Sequence, residues 1–397
     1  MAAGKNTHMT HAEDAIIIDG SKGGHDAVEM LKLMSKFLSG NPGPGVKVTT
    51  KFDGAPAVIC GIDPEDGKFF VGTKSVFAKD RKLCKSEEDV RSLYTGQLME
   101  KLVASFNYLK QCGIKGVLQG DLMFTNDKKE ERIDGDNFIT FRPNTITYAA
   151  PTNSKLGREI KAAQLGIVFH TKYTGDSLDT MSASFNVSES DYRATPNVWI
   201  QRAEFNDISG VASMSPIERT EYEAAIRRTE GSLKQASSTL DMMQTGKKTL
   251  EIDTEFLKFF NNYVKAGKRI PSVDRAYNDF MIHLGKEYDK KIQPLKTLAA
   301  QEKKALKFVK TIEFLEKHER GFKMVIASYM NIQYCKHILV DKMKKVSQLR
   351  LFVMVGGDYQ VTSDEGYVAI TSKGAVKLID RLEFSRLNFS VEKLWDK

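Results

Sequence analysis

The spacing of apolar residues changes twice along the chain. Between residues 46 and 169, apolar and polar positions alternate in short runs, which is typical of strands that bury one face. Between residues 216 and 349, apolar residues recur every three or four positions, as in Phe256, Phe259, Phe260 and Val264, which indicates amphipathic helices. Beyond residue 350 the alternating pattern returns. The sequence therefore predicts strands on both sides of a long helical segment.

The predicted strands are short runs between turn signals. In residues 46–52, Val46 and Val48 lie on one face and Lys51 on the other. The turn sequence DPEDG at 63–67 joins two runs into a hairpin. The runs that we predict to be strands are 16–18, 46–52, 57–62, 69–77, 117–124, 138–148, 165–169, 351–355, 367–371 and 375–379. The last three imply a β-rich core that is split by the helical segment.

A capping box marks the start of the helical segment. Ser215 and Glu218 have the required spacing, and Pro216 occupies the first helical position. We therefore expect an α+β protein in three parts. Residues 1–215 form the first part of the β-rich core, residues 216–349 form an all-α insert, and residues 350–397 supply the closing strands.

Basic charge is concentrated in the helical segment. The net charge is +8, but residues 216–350 contain 27 Lys and Arg against 17 Asp and Glu, whereas the remainder contains 32 against 34. Such an excess is expected of a clamp for a phosphate backbone, although a solvated basic face is the alternative interpretation. The residues of one such face are Lys303, Lys304, Lys307 and Lys310. No base-reading motif is present, so we expect nucleic-acid binding that depends on salt more than on sequence.

Length and composition indicate a globular protein of a reducing compartment. The chain has 397 residues, of which 41% are hydrophobic, which is ample for a large core. It contains neither an apolar targeting segment nor a run approaching the roughly 18 apolar residues that span a membrane. The four cysteines have no metal-site spacing, so we expect no zinc and no disulfide. We expect a cytoplasmic protein, in the host cytoplasm if the source is viral.

Five short motifs on predicted strands contain residues suited to nucleotide chemistry. They are KFDG from Lys51, QGDL around Asp121, IVF ending at Phe169, EGYV from Glu365 and VKL around Lys377. A deprotonated lysine can attack phosphorus, a second lysine can neutralise phosphate charge, and carboxylates can hold Mg²⁺. Singly, each has a structural alternative, such as a solvated strand lysine or a core phenylalanine. Their order along the chain favours a nucleotide site.

In that order and strand context, the motifs resemble those of the covalent nucleotidyltransferase superfamily, which includes ATP-dependent polynucleotide ligases and mRNA capping enzymes. The resemblance covers residues 10–215 and 350–397. It implies an antiparallel-sheet nucleotidyltransferase, or adenylation, core with a large all-α inserted domain. It also implies that Lys51 takes AMP from ATP as a lysyl-AMP intermediate, that Lys377 binds phosphate, and that Mg²⁺ is held at Glu365.

The resemblance assigns roles to three further residues. Asp121 would contact the ribose or the metal, and Phe169 would be the ring on which adenine stacks. Asp53 would serve the later catalytic steps, in which the adenylate passes to a 5′-phosphate and a 3′-hydroxyl attacks.

Three positions depart from the superfamily pattern. Asp121 stands where glutamate is usual, and Ile379 where a second lysine is common. Lys74 stands where an arginine often follows the nucleophile hairpin, with Arg81 nearby. We assign the substrate phosphate to Lys74 and Arg81, although lysine cannot grip phosphate bidentately as arginine does.

The length after Lys377 favours one branch of the superfamily. Only 20 residues follow it, whereas the OB-fold domain of DNA ligases and capping enzymes needs about 80 to 100. The chain thus looks most like the phage-type RNA ligases. We expect an ATP-dependent ligase that joins 5′-phosphate to 3′-hydroxyl ends, with RNA as the favoured substrate. The alternatives are a DNA nick ligase, nucleotidyl transfer to a protein acceptor, and an inactive nucleic-acid-binding relative.

Four further polar residues receive structural roles. His11, Glu13 and Asp14 precede the run at 16–18, and we expect them at the surface. His170 follows Phe169, and we expect it to be structural.

Overall fold

The computed structural model describes residues 9–39, 46–205, 212–246, 250–346 and 349–385. Its helices are α1 (Ala15–Ile18), α2 (Gly20–Phe37), α3 (Glu87–Leu93), α4 (Gly96–Leu109), α5 (Lys155–Ala162), α6 (Pro216–Thr245), α7 (Ile252–Lys265), α8 (Val273–Ile292), α9 (Leu298–Lys317) and α10 (Glu319–Met343). Its strands are β1 (Thr10–His11), β2 (Val46–Lys51), β3 (Ala57–Ile62), β4 (Phe69–Gly72), β5 (Val117–Phe124), β6 (Lys129–Ile133), β7 (Asp136–Phe141), β8 (Ile146–Pro151), β9 (Leu165–Thr174), β10 (Ser182–Ser184), β11 (Val198–Arg202), β12 (Arg350–Val355), β13 (Asp358–Val361), β14 (Gly366–Thr371) and β15 (Gly374–Leu378).

These strands form three sheets. Sheet A has the order β1-β15-β14-β2, with β1 parallel to β15 and the other pairs antiparallel. Sheet B has the antiparallel order β10-β9-β5-β3-β4, and β11 pairs with β9 in parallel. Sheet C, β13-β12-β8-β7-β6, is antiparallel. The protein is therefore α+β with mainly antiparallel sheets.

Strands from both sides of the helical segment share sheets A and C. In sheet A, β14 lies between β15 and β2, and in sheet C, β12 pairs with β8. The strands that we predicted at 351–355, 367–371 and 375–379 are present, and they complete sheets that begin before the helices.

Sheets A and B are joined by the chain that follows β11. Thr50 donates its backbone N–H to Ala203 O at 2.6 Å, and Phe205 donates to Val48 O at 2.8 Å. After leaving sheet B, the segment therefore pairs with the free edge of β2. This connection holds β2, with Lys51 at its end, beside the strands of sheet B.

The helical segment packs on one face of sheet A. Helix α6 begins with the predicted capping box, in which Ser215 N–H donates to Glu218 Oε2 at 2.8 Å. Val48 and Tyr367 of sheet A belong to the same buried cluster as Phe256 and Phe322 of the helices. The helices and one face of sheet A thus share a single hydrophobic core.

Three of the predicted strands were wrong in type or extent. Residues 16–18 form the helical turn α1, with Ile16 and Ile17 buried in the helical core. The run 138–148 is two strands, β7 and β8, and the run 69–77 leaves the sheet at Gly72 and ends in the 3₁₀ turn Lys74–Phe77. Short apolar runs cannot distinguish a strand from a buried helical turn, because both are fully covered.

Within the described residues, no helix is long and apolar enough to cross a bilayer. The four cysteines are unpaired and buried.

Candidate nucleotide site

One face of sheet A carries two lysines. The cross-strand register pairs Lys51 of β2 with Gly366 of β14, and Lys377 of β15 with Val368 of β14. Because successive side chains alternate between faces, both lysines lie on the face opposite Tyr367, which packs into the helical core. The two motifs that contain these lysines thus lie on β2 and β15, with β14 between them.

Lys51 is paired with Glu365, the residue that immediately precedes β14. The Lys51 ammonium donates to Glu365 Oε2, and the two side chains are 27% and 12% exposed. Burial raises the pKa of Glu365 to about 7, against the opposing effect of Lys51. Burial acts to lower the pKa of Lys51, but the nearby carboxylates, Glu365 above all, outweigh it and raise that pKa above its ordinary value. In this arrangement, Glu365 holds the amine in its protonated form.

Lys377 has the opposite shift. Burial lowers the pKa of Lys377, and the positive charge of Lys51 lowers it further. We expected the charge of Lys377 to help lower the pKa of Lys51, but the carboxylates around Lys51 outweigh any such effect and its pKa is raised.

Asp121 and His170 come from sheet B. The carboxylate of Asp121 contributes to the electrostatic environment of both Lys51 and Glu365. A β-bulge beside Gly120 leaves His170 as an extra residue of β9, and His170 Nε2 lies 3.6 Å from Asp121 Oδ1. The imidazole ring is 27% exposed. The sequence analysis gave His170 only a structural role and missed this contact.

Phe169 lies on the other face of sheet B. Phe169 pairs with Gly120, and Val168 pairs with Asp121. Because neighbouring residues of a strand point to opposite faces, Phe169 and Asp121 lie on opposite faces of the sheet. The Phe169 side chain is 3% exposed, and its ring centroid is 5.7 Å from that of Tyr192. The role that we predicted for Phe169, as the ring under adenine, is therefore not supported by its position, because core residues cover the ring.

Glycines let the motif backbones approach one another. A Cβ atom on Gly54 would lie 2.6 Å from Asp121 Cβ and 2.9 Å from Met123 Sδ. Gly366 has a φ of +149°, and its Cβ would lie 2.6 Å from Leu378 O. The glycine after Asp53 thus allows close contact with β5, and the glycine after Glu365 allows close contact with β15.

Asp53 anchors the loop that follows β2. Its carboxylate accepts hydrogen bonds from Asn144 Nδ2 at 2.8 Å and from the backbone N–H groups of Thr145 and Ile146 at 2.7 and 3.0 Å. Its own N–H donates to Tyr148 Oη at 2.7 Å, and the residue is 5% exposed. The geometry therefore gives Asp53 a positioning function, and its role in later chemical steps stays a prediction.

The two cations assigned to substrate phosphate differ in their partners. In β3, Ala57 pairs with Asp121 of β5, and Ile59 pairs with Gly72 at the end of β4. Lys74 follows Gly72 and is exposed, so it lies near the end of β3 that adjoins Asp121. Arg81 is bound to Asp179 and to Glu65, which lies in the turn between β3 and β4. Lys82 N–H donates to Ser75 O at 3.3 Å, so the backbone of Arg81 lies close to that of Lys74, but the guanidinium of Arg81 is held by these two carboxylates.

A family model matches residues 6–393, which is nearly the whole chain. The chain belongs to DUF6267. This is a family of unknown function. None of the curated proteins and none of the solved structures matches the chain. The matched range includes the helical segment as well as the strands on both sides of it.

Few carboxylates at the site of this DUF6267 chain could hold a metal ion. In the described part of the chain, no three His, Cys, Asp or Glu side chains converge as a ligand set. Glu365 and Asp121 remain as two carboxylates that act on the same lysine. Mg²⁺ is commonly bound by one or two carboxylates together with water and substrate phosphates. The residues therefore fit a metal that arrives with a nucleotide, and do not fit a preformed protein cage.

A buried ionic cluster adjoins Lys377. Glu13 is fully buried and accepts from Lys336 Nζ at 2.6 and 2.8 Å, while Asp14 accepts from Arg381 at 3.1 Å. The expectation that Glu13 and Asp14 lie at the surface was wrong. Lys336 is 323 positions from Glu13, so no local pattern indicates the pair.

His11 belongs to the same cluster. It pairs with Lys377 across β1 and β15, and its Nδ1 atom is buried without a hydrogen-bond partner among the described residues. Burial lowers the pKa of His11 to about 3, and nearby cations contribute to this effect against the opposing charge of Glu13. The surface position that we expected for His11 was therefore wrong as well.

Proposed function

We propose that the protein is an ATP-dependent polynucleotide ligase, with RNA as its favoured substrate, and that Lys51 accepts AMP from ATP. The observation that supports this most is the convergence of four motif residues distant in sequence. Lys51 and Lys377 share one sheet face, Glu365 pairs with Lys51, and the charge of Asp121 acts on that pair. The fold supports the proposal to the extent that mainly antiparallel sheets carry three of these residues, with Glu365 directly before β14.

The first step requires a neutral Lys51. The Glu365 carboxylate raises the pKa of Lys51, so this ion pair must break and the ammonium must lose a proton before the amine can react. The neutral amine then attacks the α-phosphorus of ATP. The new N–P bond forms as the bond to the oxygen bridging to the β-phosphate breaks, and pyrophosphate leaves with the electron pair. The remaining ammonium proton is released to solvent.

The neighbours of Lys51 would stabilise the negative charge that develops in this step. Lys377, on the far side of β14, would bind an oxygen of the α-phosphate. When bound, Mg²⁺ would neutralise phosphate oxygens from the side of Glu365 and Asp121. His170 can bind the ribose or position Asp121, because its ring lies beside that carboxylate.

In the later steps, the adenylate passes to the 5′-phosphate of a strand, and a 3′-hydroxyl then attacks and releases AMP. The basic helical face can hold the strand through its phosphates. Lys303 and Lys310 are exposed on α9, whereas Lys307 pairs with Glu251 at 3.1 Å and Lys304 lies 5.6 Å from the ring centroid of Tyr288. Binding through such lysines should weaken as salt rises.

The proposal is tested with α-³²P-ATP and Mg²⁺, followed by denaturing electrophoresis. We expect labelled protein with the wild type and none with Lys51→Ala. A chase with 5′-phosphorylated RNA and with nicked DNA then names the substrate, because the label should pass to RNA and yield joined product. Label that passes only to nicked DNA would identify a DNA ligase, and label that never leaves the protein would indicate another acceptor. If protein free of prebound AMP takes up no label, the proposal is rejected in favour of an inactive nucleic-acid-binding relative.

A further inference from the structure

A groove lies where the helical segment meets the end of β15. It is lined by α10, by residues 267–270 after α7, and by residues 380–383 after β15. Its volume is about 570 Å³, which is within the usual range of small-molecule sites and is large enough for one nucleotide of a strand. Part of the lining is apolar, and its apolar side chains include Ile270, Met330, Val340 and Leu382.

The groove adjoins the end of sheet A at which Lys51 lies. Gly366 of β14 pairs with Lys51, and the next residue, Tyr367, pairs with Leu378. The ends of β2 and β15 are thus two strand spacings apart, or about 10 Å. Beyond Leu378 the chain continues directly into residues 380–383 of the groove. A strand that has its 5′ end at Lys51 can therefore reach the groove by passing over the ends of β14 and β15.

An exposed aromatic ring lies in this groove. Tyr334 of α10 is 49% exposed, which is more than any other phenylalanine, tyrosine or tryptophan side chain in the described part of the chain. Arg228 of α6 lies near this ring, with its guanidinium carbon 5.9 Å from the ring centroid. Proteins that bind single strands use such rings, together with nearby cations, as surfaces on which bases stack. Tyr334 is accessible to a base in this way.

Two arginines at the groove have no carboxylate partner. Arg269 lines the groove and is exposed, and Arg228 is exposed beside Tyr334. Within the described ranges, neither guanidinium forms an ion pair. Guanidinium N–H groups match the geometry of phosphate oxygens, so both side chains can bind the phosphates next to a stacked base.

The carboxylates of the groove have cations of their own. Asp380 lies 3.4 Å from His337 Nδ1 and 3.8 Å from Lys344 Nζ, and Glu383 also pairs with Lys344. The charge that is left without an ionic partner is therefore positive. The other cations of the lining belong to the buried ionic cluster and have carboxylate partners there, and they are Lys336 and Arg381.

We infer that the groove binds a nucleotide of the acceptor strand beyond its 5′ end, with the base on Tyr334 and neighbouring phosphates at Arg269 and Arg228. The inference rests on the proposed function, which requires a strand whose 5′ end lies at Lys51. An acidic peptide would use the two arginines but would leave the ring without a stacking partner. Single-stranded nucleic acid is therefore the partner that the groove fits.

The test is fluorescence anisotropy with a short single-stranded RNA that has a 5′-hydroxyl and a label at its 3′ end. Binding is measured over a series of salt concentrations in the absence of ATP and Mg²⁺, so no adduct forms. Tyr334→Leu removes the ring but keeps an apolar side chain, and Tyr334→Phe keeps the ring. The control is Tyr108→Leu, which removes a half-exposed tyrosine of α4, outside the groove.

We expect Tyr334→Leu to weaken RNA binding about 5- to 100-fold, as for the loss of one base-stacking contact. Tyr334→Phe and Tyr108→Leu should bind as the wild type does. Because stacking releases no counterions, the slope of the logarithm of the binding constant against the logarithm of salt concentration should be unchanged in Tyr334→Leu.

Arg269→Gln should change that slope instead. Loss of one phosphate contact to a single strand should reduce its magnitude by about 0.7. The control is Arg227→Gln, because Arg227 is also exposed and without an ion pair in the described part of the chain, but it lies outside the groove. Its slope should equal that of the wild type.

Four results would overturn the inference. They are no RNA binding by the wild type, equal affinity of Tyr334→Leu and Tyr108→Leu, equal slopes of Arg269→Gln and Arg227→Gln, and displacement of the RNA by polyglutamate as effectively as by unlabelled RNA. The last would assign the groove to an acidic peptide. Because the adduct is assayed separately, RNA binding at the groove without a Lys51 adduct would reject the proposed function alone. An adduct without RNA binding at the groove would reject this inference alone.

Discussion

Lys51 and Glu365, which are 314 positions apart in the sequence, form an ion pair at the point where β2 meets β14. The pair joins the start of the β-rich core to its closing strands. It also fixes the charge state of the lysine, because the Glu365 carboxylate raises the pKa of Lys51 above its ordinary value. The residue that we propose as nucleophile is thus restrained by the carboxylate that we propose as metal ligand.

Removing this carboxylate should make the amine of Lys51 more reactive. In Glu365→Gln, burial still lowers the pKa of Lys51, while the main opposing charge is gone. We expect Lys51 to be acetylated faster than in the wild type at a given mildly alkaline pH, as measured by mass spectrometry after a pulse of acetic anhydride. Lys47 of the same strand serves as the internal control and should be unchanged. An unaltered or slower rate at Lys51 would contradict the charge assignment.

Asp53→Asn should destabilise the fold. Both oxygens of the carboxylate accept hydrogen bonds, three in total. An amide replaces one oxygen with an NH₂ group, which cannot accept, so at least one N–H donor loses its partner. We expect the free energy of unfolding to fall by about 1 to 3 kcal/mol, measured by urea denaturation. Asp136→Asn is the control, since Asp136 pairs with Arg350 at the surface and should contribute less than about 0.5 kcal/mol. Equal stability of the two variants would show that Asp53 does not anchor its loop.

Gly54→Ala should be tolerated poorly. The new Cβ would lie 2.6 Å from Asp121 Cβ, so either the loop or β5 must move. We expect a loss of about 1 to 3 kcal/mol in the free energy of unfolding, as for other overpacked sites. The control is Gly285→Ala in α8, where no atom lies within 4 Å of the added Cβ, and alanine should stabilise the helix by about 0.5 to 1 kcal/mol. If both variants gained stability, the close approach of the loop to Asp121 would be refuted.

His11 should make stability fall as the pH falls. Its folded pKa is about 3, against an ordinary value of 6.5. Below pH 6.5 the unfolded state therefore binds a proton that the folded state does not bind, and stability is lost progressively down to about pH 3. Between pH 7 and pH 5 this amounts to at most about 2 kcal/mol.

The contribution of His11 is isolated by comparison with His11→Gln. Urea denaturation at pH 7 and pH 5 should show a smaller loss of stability for the variant than for the wild type. The difference between the two losses removes the contributions of other titrating groups. An identical loss in both proteins would mean that His11 is protonated in the folded state.

The sequence predicted those features that depend on neighbouring residues. The capping box of Ser215 and Glu218 is a local signal, and it starts α6 as expected. The alternation in β2 likewise placed Lys51 and Val48 on opposite faces. These predictions succeeded because a helix cap and a strand period are properties of a few consecutive residues.

Features that depend on distant residues could not be predicted in the same way. Ile16 and Ile17 are buried by helices that lie far along the chain, so their apolar run gave no sign of a helical turn. The bulge that brings His170 to Asp121 arises from the pairing of β9 with β5, whereas Phe169 was assigned from the resemblance alone. The partner of Glu13 lies on α10. Only the tertiary structure supplies these contacts.

The central claim is that Lys51 accepts an adenylate from ATP. The most direct measurement is peptide mapping by tandem mass spectrometry after the protein is incubated with ATP and Mg²⁺ and then denatured. We expect an AMP group on Lys51, its absence in Lys51→Arg, and its retention in Lys47→Arg, which alters a lysine on the same face of β2. An unmodified Lys51 in protein free of prebound AMP, or an adenylate on another residue that persists in Lys51→Arg, would contradict the account.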